Sequence, residues 1–163
     1  MNFTPNLRIW EAANLYQDAA SLCNEHGQGW PAAINAALAM EIYLKSFLSE
    51  TIKIRVSNDL YQCYQKTKRG HKLLDIYKLI PSDVRHHLCE QYNLLKMDGC
   101  LIKDLNKYND VFFNARYMYE KESIKVVDNN IVYVSALLRE AVFNVAKILH
   151  PKFITPNRLP YKE

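Results

Sequence analysis

Between Trp30 and Leu48 the chain reads WPAAINAALAMEIYLKSFL, and this stretch restricts the possible folds more than any other. At 100° per residue, Met40, Ala33, Leu44, Ala37, Leu48, Ile34 and Leu38 fall in one broad arc, the face of a core helix. Glu41 and Lys45 fall inside that arc instead of opposite it. On an exposed face such an i, i+4 pair contributes only about 0.3–0.5 kcal/mol. Flanked by Ile34, Leu38 and Leu48, the pair is expected to be at least half-buried, and a buried carboxylate needs cations or donors to offset lost hydration. Those partners must come from elsewhere in the chain.

With 163 residues, 49% hydrophobic and 23% charged, the chain is long enough for one sizeable core and is expected to form a single domain over residues 1–150. Few Gly and Pro, apolar segments of helical period, and no uncharged apolar run of about 18 residues predict an all-α, soluble protein without a membrane span. Residues 1–10 lack the features of a secretory signal, so a cytoplasmic location is expected. Cys23, Cys63, Cys89 and Cys100 show no metal-ligand spacing and are expected to be reduced thiols, with no metal and no cofactor. A net charge of +4 permits an anionic partner without requiring one.

In chain order, Thr4 as N-cap and Pro5 at the first helical position open a helix to about Glu25, with Leu7, Trp10, Ala13, Tyr16, Ala20 and Cys23 at helical spacing. The turn at 26–29 precedes Pro31, which opens the core helix, so the two form an antiparallel hairpin. From Thr51 to Arg69 the period weakens, which predicts a helix extension followed by a surface excursion. Gly70 to Ile80 reads as a short helix ended by Pro81, with His71 in its first turn. Ser82 caps a helix to about Lys96, and Asp98-Gly99 breaks it. Leu101 to about Ala115 continues as one helical stretch and passes into Arg116-Tyr117-Met118-Tyr119-Glu120. Residues 121–128 read as a loop or short extended piece. Asn129 or Asn130 then caps a long closing helix with Ile131, Val134, Leu138, Ala141, Val142, Val145, Ile148 and Leu149 on its apolar face. Pro151 ends that helix, and 151–163 reads as an irregular tail.

The chemistry-bearing candidates are sparse. His71 beside Gly70, and Arg116 among Phe112, Phe113, Tyr117 and Tyr119, are the residues whose settings suggest a site shared with Glu41 and Lys45. Such a group is either a structural ion network or a ligand or catalytic site. Arg116 and Glu120 form a further i, i+4 pair if helical. Lys66, Lys68, Arg69 and Lys72 make a basic cluster near Tyr61 and Tyr64, a composition that suits phosphates and stacked bases as well as an ordinary solvated loop. His86 and His87 occupy consecutive helical positions and cannot share a face as metal ligands. No Walker loop, HExxH or Gly-x-Ser-x-Gly is present.

Taken in order, Glu41-Ile42-Tyr43-Leu44-Lys45, then Gly70-His71-Lys72-Leu73-Leu74-Asp75-Ile76-Tyr77, then Phe113-Asn114-Ala115-Arg116-Tyr117-Met118-Tyr119-Glu120, and a long final helix, the sequence resembles HEPN-domain proteins over about residues 5–150. That resemblance implies an up-and-down bundle of four to five main helices, usually a homodimer, that binds RNA or a nucleotide, or assists a partner protein. It also implies toxin–antitoxin, antiphage defence or stress systems in bacteria. Many members are metal-independent ribonucleases with an Arg-x(4–6)-His motif, yet no histidine follows Arg69, Arg85, Arg116 or Arg139 at that interval. Any catalysis here would therefore use another set, with His71, Arg116 and Glu41 as candidates and Lys45, Tyr117, Glu120, Lys72 and Arg69 as ligand contacts.

Overall fold

The structure, a computed structural model, describes residues 4–97, 99–116 and 128–151, with Phe113, Ala115 and Arg116 described as backbone only. It is mostly helical: α1 (Leu7–Glu25), α2 (Gly29–Ser46), α3 (Leu73–Leu79), α4 (Ser82–Leu95), α5 (Leu101–Lys107), α6 (Val111–Arg116) and α7 (Asn130–Leu149). Between α2 and α3 stand β1 (Glu50–Arg55) and β2 (Tyr61–Lys66). No helix among the described residues is long and apolar enough to cross a membrane.

The helix expected at the centre is there. α2 packs against α1, α3, α6 and α7 and is buried nearly all round, through Ala32, Ala33, Ala36, Ala37, Ala39, Met40, Tyr43 and Leu44. Five alanines let neighbouring backbones approach closely, and Met40, Tyr43 and Leu44 supply the volume. α1 lies beside α2 through a short turn in which Gly27 takes the left-handed φ of 72°, a conformation that glycine adopts without steric cost. α7 closes the core with Ile131, Val134, Leu138, Ala141, Val142 and Val145 against α1, α2 and α4. Its last turn departs from the expected face, because Ile148 is exposed.

The expectation of an all-α chain is corrected by the β-hairpin, which replaces the helix extension and surface excursion expected over residues 51–69. Ile52, Ile54 and Val56 alternate with polar residues as a strand does, and Ser57-Asn58-Asp59 supplies a turn. Arg55 donates to the Ser57 and Asn58 carbonyls, and Val56 N–H to that of Leu60, so the turn carries its own hydrogen bonds. The register pairs Ile52 with Tyr64, Lys53 with Cys63, and Arg55 with Tyr61. Directly paired residues share a face, so Tyr61 and Tyr64 lie on opposite faces of the hairpin.

Several boundaries move for local reasons. Asn6, not Thr4, caps α1: its Oδ1 accepts from the N–H groups of Arg8 and Ile9, and its own N–H donates to the Ser46 carbonyl. Ser82 is the first residue of α4 instead of its cap, a position held by Pro81. The stretch expected as one helix from Leu101 to Ala115 is two, broken at 108–110, where Asn109 Oδ1 accepts from Leu74 N–H at 2.9 Å. That remote cap is why α3 begins at Leu73 and not at Gly70. At α7, Asn129 sits at the cap position without a side-chain bond, and the Asp128 carboxylate accepts from Asn130 N–H instead. Residues 121–127, expected as loop or extended, and the tail 152–163 lie outside the described residues.

Candidate functional site

Glu41 is 3% exposed on the core side of α2, where the helical period puts it. One turn later on the same helix, Lys45 Nζ lies 2.6 Å from Glu41 Oε1. His71 arrives from outside the helix: its Nδ1 is 3.1 Å from both Glu41 oxygens. The chain makes this approach through Gly70, whose φ of 122° is open to glycine and strained for other residues. His71 precedes the Lys72 cap of α3, so it is not in the helix's first turn as expected, and it is held by Glu41 and not by a helix terminus. Its ring also packs on Phe112 of α6, with centroids 5.6 Å apart and a 35° tilt.

Two cationic or donor groups thus meet one buried carboxylate, which is what burial of Glu41 requires. The side chains differ in access: Glu41 is 4% exposed, Lys45 13% and His71 51%. A ring nitrogen facing a carboxylate carries its proton there, so Nδ1 is the donor in both the neutral and the protonated ring. Nε2 has no hydrogen-bond partner among the described residues. In the neutral ring it is an acceptor and base, and in the protonated ring a donor and acid.

The remaining candidates do not all converge. Arg116 ends α6, one turn beyond Phe112, and its side chain lies outside the described residues, as do Tyr117 and Glu120 entirely. Lys72 reaches Asp110 at 3.8 Å, an exposed and weak pair. Arg69 is exposed, and no bond joins it to the Glu41 group among the described residues. The basic cluster is divided by the hairpin register: Lys66 shares a face with Tyr64, whereas Tyr61 lies on the other, so the two tyrosines do not form one stacking surface.

A second buried carboxylate was not singled out by sequence reasoning. Asp104 Oδ2 accepts from Tyr92 Oη at 2.6 Å and from Lys96 Nζ at 2.7 Å. Its signal was available, since Asp104 stands among Leu101, Leu105 and Tyr108 at helical spacing, the same anomaly as Glu41. Burial, followed by the hydrogen bond to Asp104, pushes the Tyr92 phenol well above the ordinary tyrosine range. A third group joins Asp128 to Lys107 and Tyr108 at the start of α7. The hydrogen bond from Lys107, then that from Asn130 N–H, hold the Asp128 carboxyl below the usual carboxylate range.

His86 and His87 have ring centroids 6.1 Å apart, and His87 faces Glu90 at 3.9 Å. No group of three or more His, Cys, Asp or Glu suited to a metal ion occurs among the described residues. All four cysteines are free thiols, of which Cys63 is exposed. Comparisons with protein-family models, with curated proteins and with solved structures gave no match.

Proposed function

We propose that this chain is a HEPN-like helical bundle that binds RNA or a nucleotide at the site formed by Glu41, Lys45 and His71. The observation that carries the reading is the asymmetry of that site. Glu41 is shut into the core, while the histidine it fixes is half-exposed and presents Nε2 without a partner among the described residues. A closed ion network has no need of such a group. A phosphate oxygen is the kind of acceptor that a protonated Nε2, with Lys72 and Arg69 near it in sequence, would bind. The resemblance in the three motifs adds the homodimer, a possible partner protein and the role in bacterial defence or stress.

The second reading is a metal-independent ribonuclease, and one observation favours it. A carboxylate that fixes the tautomer of a histidine, with the far nitrogen open, is the arrangement general acid/base catalysis uses. Here His71 moves the proton and Glu41 steadies the imidazolium, with Arg116 as the candidate for phosphate charge. Fluorescence anisotropy with a mixed RNA pool at low salt, beside a gel assay for cleavage, separates these. Binding weakened roughly tenfold by His71→Ala, the loss of one charged hydrogen bond, supports the first reading. Cleavage lost in the same variant supports the second. If the intact chain neither binds nor cuts, the Glu41 group is structural and both readings fail.

A further inference from the structure

A second concavity shares no residue with the Glu41 site. It has a volume of about 490 Å³ and lies between the start of α1, one face of the hairpin and the end of α7. Thr51, Cys63 and Gln65 line it together because the antiparallel register puts them on one face. That face is fastened to α1: Asn6 Nδ2 donates to Gln65 Oε1 at 2.9 Å, and Gln65 Nε2 to Thr51 Oγ1 at 3.0 Å. Phe143 of α7 lines the opposite side and is stacked on Trp10, with centroids 5.2 Å apart, so its ring is held in place. A cleft of this size falls in the range of small-molecule sites.

Its charge is one-sided. No Asp or Glu lines the cleft among the described residues, whereas Arg8 does, and no ion pair joins Arg8 to a carboxylate among them. His150 is the other basic side chain of the lining among the described residues. An apolar surface of Leu7 and Phe143 therefore lies beside an unneutralised guanidinium. We infer that this cleft binds a small amphipathic anion of the aryl carboxylate class, with the carboxylate on Arg8 and the ring against Leu7 and Phe143. The guanidinium fork matches a planar carboxylate, and neither wall offers the row of cations that a polyphosphate needs.

Cys63 is a reporter built into the wall. Iodoacetate and iodoacetamide are nearly equal in size and differ in charge, so their rate ratio at Cys63, resolved by peptide mass spectrometry, reads the field of the cleft. Relative to the same chain unfolded in urea, the folded protein should favour iodoacetate roughly threefold to tenfold at low salt, an advantage that added salt removes. Arg8→Ala should return the ratio to the unfolded value, and Arg8→Lys should keep part of the preference. Millimolar 1-naphthoate should protect Cys63 from iodoacetamide saturably in the natural chain and not in Arg8→Ala. The inference is overturned by an unfolded-like ratio, by absent or Arg8-independent protection, or by a Cys63 that neither reagent reaches in the folded protein. Arg8 is exposed on the first turn of α1, so a folded variant is expected, and its circular dichroism checks this.

Discussion

Replacing Glu41 by glutamine tests the centre of the fold and of the site together. The amide is nearly isosteric, so packing against Ala37 and Leu44 changes little and the perturbation is electrostatic. Two interactions are lost. The first is the ion pair with Lys45, whose side chain, 13% exposed, is left without its counter-charge. Breaking a buried pair from one side typically costs about 3–5 kcal/mol, but Lys45 sits at the end of a flexible stem and can extend toward water, which puts its share near 2 kcal/mol. The second is the contact with His71, half-exposed and therefore worth about 0.5–1 kcal/mol. The expected total is about 2.5–3 kcal/mol, or a fall of roughly 5–10 °C in Tm for a chain of this size. Urea unfolding at pH 7, followed by circular dichroism, should show a lower midpoint at unchanged slope. His71→Ala should cost under half as much. A Glu41→Gln midpoint equal to that of the natural chain, or an equal loss from His71→Ala, would refute the assignment of Glu41 as the buried anchor and Lys45 as its main partner.

Two further outcomes test the other carboxylate groups. Tyr92→Phe removes the 2.6 Å donor to Asp104 and leaves Lys96 as its remaining partner, so urea unfolding should show a loss of about 1.5–2 kcal/mol, while a loss within error would sink the buried-bond reading. Asp128 has a folded pKa below its unfolded value, so its contribution is present above the unfolded carboxylate range near pH 4 and is lost as pH falls through the folded value. Asp128→Asn should therefore be less stable than the natural chain at pH 7, with the gap shrinking toward pH 2; a gap that widens on acidification would contradict the sign.

The parts of the fold that were legible in the sequence are those whose burial follows a single helical period. α2, α1 and most of α7 qualify, and so does the misplacement of Glu41 and Lys45, because an unneutralised carboxylate on a core face has to be explained whatever the fold. The approach of His71 was legible only as an oddity, since Gly70 permits a bend without saying where the bend leads. The break between α5 and α6 was hidden for a physical reason: Leu105, Tyr108, Val111 and Phe112 keep helical spacing across it, all four being buried or half-buried on either side of Asn109. The hairpin was hidden because Leu60, Tyr61 and Tyr64 also fit a helix turn, and only the cross-strand pairing decides between the two periods. Asn109 as the cap of α3 could not have been read at all, because the bond spans 35 residues.

The two buried carboxylates on helices show what separates a structural group from a candidate site. Asp104 and Glu41 have the same local signal, a carboxylate at an apolar position, and each has gained a lysine within 2.7 Å. Their third partners differ. Tyr92 is fully buried with its single hydroxyl spent on Asp104, so this third partner offers solvent no polar atom, and the exposed part of the group is the Lys96 side chain, which ties α4 to α5. His71 is bifunctional, and burial of one nitrogen on Glu41 fixes the character of the other while leaving half of the ring in solvent. Histidine at that position, delivered through a glycine of positive φ and steadied on Phe112, adds a second ring nitrogen, which Glu41 does not require and a phosphate ligand can use.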